Sequence, residues 1–168
     1  MAAPTPTRAG NGEALDTIFR AHYERITRVI GRVIHDQARA EELAVEVFLK
    51  WRDQPEGWLY RTAVRKALDE LRSQVRRSRI ERLLGANRKS PPTPEQLYAA
   101  NAEQRRVRAV LGALPRRQAE ILLLRSQDLS YQEIASVLAL HPNYVGSVVS
   151  RAQEAFRKEY RKRYGNQS

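Results

Sequence analysis

Between His141 and Arg151 the chain reads HPNYVGSVVSR, and within it Asn143, Tyr144, Ser147, Ser150 and Arg151 recur at three- and four-residue steps. On a helix that spacing aligns amide, hydroxyl and guanidinium groups on one face, the groups that hydrogen-bond to base edges and phosphates. Arg157, Lys158, Arg161, Lys162 and Arg163 extend the positive charge beyond them. A second set is basic: Arg61, Arg65, Lys66, Arg72, Arg76 and Arg77 suit a phosphate backbone, and Trp58 and Tyr60 are available to stack on an unpaired base. Burial in a core is the commoner state of a single tryptophan, so Trp58 keeps both readings. The third set is acidic. Glu41, Glu42 and Glu46 stand close together in an otherwise basic chain, where they suit a basic protein surface; helix-dipole placement explains Glu41 but reaches Glu46 poorly.

None of these sets supports catalysis. His22, His35 and His141 lie far apart without ligand spacing, so no metal is expected. There is no glycine-rich phosphate loop, no GxSxG and no nucleophile with a base, so neither a cofactor nor a small-molecule substrate is expected and the chain is not read as an enzyme.

These side chains need helices to position them. Residues 1–12 read as a disordered terminus. A helix follows from near Glu13, carrying Leu15, Ile18, Phe19, His22, Ile26, Val29, Ile30 and Val33 on one face. Asp36 is the natural N-cap of the next, whose apolar side is Ala40, Leu43, Ala44, Val47, Phe48 and Trp51, with Phe48 assigned to the core. After DQPEG, Pro55 suits the first turn of a third helix. Gly85, Asn87, Ser90 and three nearby prolines mark a linker over residues 85–94. Thr93-Pro94-Glu95-Gln96 reads as the opening of a helix through Val107, Val110 and Leu111, and Pro115 opens another containing Ile121, Leu122 and Leu124. Ser130 with Glu133 has capping-box spacing, and Pro142 suits the first turn of the last helix. The fold class is therefore all-α: two small helical domains, 13–84 and 95–165, joined by a Pro-rich linker. Two helices joined by a short turn, with Ala135 at their crossing and Ile134, Leu138, Val145 and Val149 between them, describe a helix-turn-helix in the second domain.

Composition narrows the partners. The 168 residues carry 30 Lys and Arg against 19 Asp and Glu, a formal +11, which favours a polyanion. No apolar run approaches the roughly 20 residues that span a bilayer, so no membrane insertion is expected. The opening MAAPTPTRAGNGE lacks the apolar centre of a signal peptide, and a cytoplasmic location is expected. Zero cysteines exclude disulfides, thiol catalysis and Cys-ligated zinc.

LPRRQAEILLLRSQDLSYQEIASVLALHPNYVGSVVSRAQEAF is similar to the promoter-recognising C-terminal domain of extracytoplasmic-function sigma factors of bacterial RNA polymerase. ARAEELAVEVFLKW and WLYRTAVRKALDELR resemble the N-terminal domain of the same family, in the same order, and the likeness covers roughly residues 13–163. The resemblance implies a dissociable polymerase subunit without catalysis of its own. It implies that the first domain binds the minus-10 region through Trp58, Tyr60, Arg61, Arg65, Lys66 and Arg72, and the polymerase clamp helices through Glu41, Glu42 and Glu46. The second domain would read the minus-35 element through Asn143, Tyr144, Ser147, Ser150 and Arg151. Core polymerase (clamp helices and flap), promoter DNA and an anti-sigma factor are the implied partners.

The chain also departs from that family's pattern. Only RDQPEG separates Trp51 from Trp58, where relatives carry a longer loop that captures a flipped minus-10 base. Gly146 and Val148 replace commonly basic positions, Ala139 replaces a turn glycine, and Val45 replaces a glutamine. Two other readings stay open: a stand-alone helix-turn-helix regulator, and a sigma-like adaptor that docks without melting DNA.

Overall fold

A computed structural model describes residues 8–85 and 102–165, and among them every regular element is an α-helix. α1 spans Arg8–Ile34, α2 Gln37–Lys50 and α3 Glu56–Leu83. After the undescribed stretch come α4 (Ala102–Ala113), α5 (Arg116–Arg125), α6 (Tyr131–Leu138) and α7 (Pro142–Tyr164). Most of the expected linker, together with Thr93-Pro94-Glu95-Gln96, lies outside the described residues, as do residues 1–7.

α1 begins at Arg8, ahead of the expected onset near Glu13, so residues 8–12 join a helix rather than a loose terminus. This early turn lies beside the α2–α3 connection: Gly12 and Leu15 border the same hollow as Trp51, Arg52 and Asp53. The helix stops at His35, whose φ of 56° is left-handed, a geometry that ends helices and is tolerated by few side chains besides glycine and asparagine. Asp36 then caps α2 by accepting a 2.9 Å hydrogen bond from the Arg39 N–H. Residues 51–55 form a tight turn in which the buried Trp51 donates its indole N–H to the Gln54 carbonyl at 2.8 Å. Pro55 sits one position earlier than expected, as the residue capping α3.

α1, α2 and α3 bury one shared face. Phe19 stacks on Tyr23 with ring centres 4.6 Å apart, and the Phe19 ring meets Phe48 edge-on at 5.0 Å. Phe48 is 2 % exposed, a core residue as expected. α3 is long, 28 residues or about 42 Å at 1.5 Å per residue. That length lets its buried side serve both halves of the chain. α3 packs against α4, α5 and α6 as well as α1 and α2, and the apolar cores of the two halves form one continuous cluster.

The backbones of α3 and α6 come close at Gly57, where a Cβ would stand 3.2 Å from the Cα of Val137 and 3.3 Å from the Ser136 carbonyl oxygen. A side chain there would push α6 off the start of α3. Polar groups complete the seam between the two halves. Arg72 donates to the carbonyls of Gly112 and Leu114 at 3.1 and 2.8 Å, satisfying acceptors at the end of α4. Arg108 reaches back to the Val33 carbonyl and to Gln74. Burial pulls the Arg108 guanidinium below its usual pKa.

Candidate nucleic-acid interface

The α6–α7 pair is built from its caps inward. Ser130 Oγ accepts from the Glu133 N–H at 3.2 Å while the Glu133 carboxylate accepts from the Ser130 N–H at 2.8 Å, the reciprocal capping box its spacing predicts. Those bonds from Ser130, first to the backbone and then to the side chain, hold the Glu133 carboxyl below its usual pKa. α6 ends at Ala139 with φ 53°, and the Leu140 N–H closes on the Ala135 carbonyl at 2.8 Å. The turn therefore needs a left-handed residue, and alanine there costs about 1–2 kcal/mol that glycine would not. His141 Nδ1 accepts from the Asn143 N–H at 3.3 Å, and Pro142 opens α7.

Ile134 and Ala135 of α6 and Val145, Val149 and Ala152 of α7 are buried, and the two helices pack against each other. The opposite side of α7 carries Asn143, Tyr144, Ser147, Ser150 and Arg151, all exposed, with Tyr144 at 63 %. Ser147 and Arg151 are coupled. Arg151 donates to the Ser147 carbonyl at 3.3 Å and to its hydroxyl at 3.4 Å, so the guanidinium is held along the face rather than trailing in solvent. Further along, Arg157, Lys158, Arg161, Lys162 and Arg163 are exposed as well. Arg163 bonds Glu159 at 2.6 Å, and that bond holds the Glu159 carboxyl down.

The basic set on α3 is disposed differently. Tyr60 is 6 % exposed; Arg25 covers its ring at 5.1 Å and its hydroxyl lies 3.5 Å from His22 Nδ1. A base cannot stack on it in this arrangement. Its spacing with Val64, Ala67 and Leu71 places it on the buried stripe of α3, a signal present in the sequence. Trp58 is half-buried against the core. Lys66 bonds Glu46 directly, so a residue expected on DNA and one expected on a protein partner instead join each other. That bond is the main cause lowering the Glu46 pKa. Arg65 pairs with Glu120 at 2.9 Å, and the Glu120 side chain is 5 % exposed. Arg72 is committed to the α4 carbonyls. Arg61 lines a cleft with Arg65, Arg116 and Arg117 between α3 and α5.

On α2, Glu41 and Glu42 face outward, bonded to Gln37 and Arg39 respectively on their own helix. Val45 and Leu49 continue that face at four-residue steps and are 41 % and 61 % exposed. In the sequence Val45 stands out only as a departure from the family pattern and Leu49 not at all, although apolar side chains flanked by carboxylates at helical spacing are a docking signal when exposed. Among the described residues no group of His, Asp and Glu has the arrangement of a metal site. No described helix is long and apolar enough to cross a membrane.

Two helical units in this order, the later one carrying an exposed polar face on the second helix of a helix-turn-helix, have the architecture of a helical DNA-binding protein. Residues 18–77 match the family described as Sigma-70 region 2, and residues 104–155 match Sigma-70, region 4. The chain is 32% identical over 154 residues to the ECF RNA polymerase sigma factor SigE of Mycolicibacterium smegmatis, covering 84% of this chain and 60% of that one. It is 30% identical to the ECF RNA polymerase sigma factor SigK of Mycobacterium sp. strain JLS, covering 83% of this chain and 79% of that one. Identity to the RNA polymerase sigma factor YlaC of Bacillus subtilis is 25%, over 89% and 94% of the two chains. The chain belongs to the ECF family of RNA polymerase sigma factors.

Proposed function

We propose that this chain is a sigma subunit: it binds core RNA polymerase in the cytoplasm and directs it to promoters by contacting minus-10 and minus-35 DNA. It acts without catalysis of its own. The observation that carries the reading is the division of α7, with Val145 and Val149 buried and Asn143, Tyr144, Ser147, Ser150 and Arg151 presented to solvent on the other side. That is the geometry of a recognition helix entering a major groove. Residues 13–84 form the unit for polymerase and the minus-10 region, 85–94 the linker and 95–165 the minus-35 unit; the matches at 18–77 and 104–155 fall inside these bounds.

The polymerase surface is the outer face of α2. Glu41 and Glu42 supply charge complementarity to a basic partner, and Val45 and Leu49 supply apolar area that only an interface would cover. Glu46 contributes indirectly by holding Lys66. The flap of the polymerase is the expected partner of the second unit. An anti-sigma factor covering these same faces is the expected inhibitor.

The test is transcription by core polymerase on a pool of randomised promoters. Addition of the chain is expected to produce run-off transcripts enriched for two spaced elements. If core polymerase neither retains the chain at micromolar concentration nor changes its start sites, the reading fails. The five-residue connection from Trp51 to Pro55 supports a second reading, an adaptor that docks without melting DNA, because the indole bond to Gln54 draws that turn in and leaves little chain to capture a base. Permanganate reactivity of promoter thymines separates the two: an open bubble supports the initiator, its absence from bound holoenzyme the adaptor.

A further inference from the structure

We infer that the cleft between α3 and α5 is a binding site for an oligophosphate, a short run of linked phosphates either free or carried as the tail of a nucleotide. The inference goes beyond the sigma reading and does not depend on it, because the free chain alone forms the site.

Arg61 and Arg65 of α3 and Arg116 and Arg117 of α5 line this cleft, together with Glu120 and Leu138. The fold accounts for two of the four arginines. Arg65 donates through Nε to the buried Glu120 carboxylate at 2.9 Å, and Arg116 donates through an Nη to Asp69 at 2.7 Å. Each of these bonds occupies one nitrogen, so both guanidinium groups keep N–H donors for a further acceptor. Arg61 and Arg117 are unaccounted for: among the described residues neither has a hydrogen bond, an ion pair or a ring contact. Arg61 is nevertheless only half exposed, and a cation drawn out of water without an acceptor is unfavourable. Four guanidinium charges thus face two carboxylates, which leaves a local excess of two positive charges.

Their placement on α5 points the same way. Arg116 and Arg117 are the first two helical residues after Pro115, and that cap makes no side-chain hydrogen bond. Cations at the positive end of a helix are unfavourable, whereas an anion there is favoured. The fold gains nothing from this pair. With Arg61 and Arg65 brought to them from α3, however, guanidinium forks converge from two elements on one hollow, the arrangement that grips phosphate oxygens in pairs.

Size and lining select the class of anion. The cleft holds about 250 Å³, below the range of roughly 300–1,000 Å³ usual for drug-sized ligands, so it suits a compact ion. A single phosphate engages fewer of the four arginines than a chain of two or three. A DNA duplex carries its phosphates on the outside of a convex rod, which lies across a hollow of this volume instead of entering it. No aromatic ring lines the cleft, so nothing there stacks on a base, and the phosphate chain itself is what the site recognises.

The test is titration calorimetry of the free native chain with sodium tripolyphosphate, in magnesium-free buffer at physiological ionic strength. Saturable binding of one equivalent is expected, with a melting temperature that climbs as ligand is added. Arg61→Ala combined with Arg117→Ala should weaken the affinity about tenfold or more. Helical circular dichroism and the ligand-free melting temperature should stay as they are, because neither side chain has a partner to lose. Arg157→Ala combined with Arg161→Ala, on the exposed basic stretch of α7, should bind tripolyphosphate as the native chain does. Orthophosphate should bind more weakly than tripolyphosphate. Adenosine triphosphate distinguishes the sources: affinity equal to that of tripolyphosphate supports a site for the bare chain, and tighter binding that the Arg61–Arg117 double variant also loses supports a nucleotide tail. The inference is overturned if tripolyphosphate fails to bind, or if the α7 pair weakens binding as much as the cleft pair, which would mark general attraction to a chain of net charge +11. It is equally overturned if a short duplex at the same phosphate concentration displaces tripolyphosphate completely, since the cleft would then be a DNA contact. Core polymerase takes no part in these measurements, so their failure leaves the sigma reading untouched, and failure of that reading leaves them valid.

Discussion

Helices α3 and α7 both carry a row of polar and basic side chains, and the two rows have opposite fates. On α7 the row is solvated and bonded only within its own helix, as in the Arg151–Ser147 pair. On α3, Arg65, Lys66 and Arg72 are each bonded to another element of the fold. A basic side chain is therefore no guide to a ligand face by itself. What distinguishes the two rows is whether a fixed acceptor elsewhere in the chain already satisfies them.

Breaking that contrast should have its largest effect at Arg72. Replacing it with alanine strips two carbonyls of their donor and removes a charged hydrogen-bonding group from a partly buried seam. A loss of about 2–4 kcal/mol in chemical denaturation is expected. A change below about 0.5 kcal/mol, the size typical of surface substitutions, would place Arg72 with the solvated residues and erase the distinction. Arg151→Ala should do the reverse. Stability should move by less than about 0.5 kcal/mol, while promoter binding by holoenzyme weakens by about 1–3 kcal/mol if the guanidinium meets a base and less if it meets a phosphate. Fluorescence anisotropy on promoter fragments measures the second quantity, and unchanged affinity would remove Arg151 from the reading face.

The α7 row was legible because everything that builds it is local. Capping box, first-turn proline and the Val145–Val149 stripe lie within twenty-odd residues and follow from helix periodicity. Phe48 and the caps at Asp36 and Ser130 are legible for the same reason. The α3 row was not, because its partners lie on other elements, 20 positions away for Lys66 and 40 or more for Arg65 and Arg72. Spacing along one helix cannot report which carbonyl or carboxylate comes to meet it. One signal was present: Glu120 interrupts the run AEILLL between Ala119 and Ile121, and a carboxylate on the core side of a short apolar helix calls for a cation from elsewhere. Tyr60 was readable as core from its step to Val64 and Leu71. Its aromatic chemistry drew attention to DNA instead.

A smaller effect is expected at the cap that starts the helix-turn-helix. The folded Glu133 carboxyl titrates below its ordinary value because Ser130 donates to its ionised form. A depressed carboxyl contributes stability that is whole above the unfolded value of about 4.3 and is lost as pH falls through the folded one. Stability should therefore decline on acidification below about pH 4, and Glu133→Gln should flatten that decline. Ser130→Ala, measured near neutral pH, should cost about 1 kcal/mol. An identical acid profile in the Gln variant would show that the loss arises elsewhere, the Glu46–Lys66 pair on α2 and α3 being the next candidate.

The smallest change concerns Gly146, inside α7, where glycine costs about 1 kcal/mol of helix stability against alanine. A Cβ at this position would lie 3.6 Å from Cε2 of Tyr131, an ordinary contact, so space does not require the glycine. The added methyl would point toward α6, away from the row formed by Asn143, Ser147 and Arg151. Gly146→Ala should therefore stabilise the chain by up to about 1 kcal/mol, raising its melting temperature by roughly 2–4 °C, and leave promoter affinity unchanged. Higher stability with weaker DNA binding would show that the DNA backbone approaches α7 at the glycine itself, which would extend the reading face past the side chains that define it.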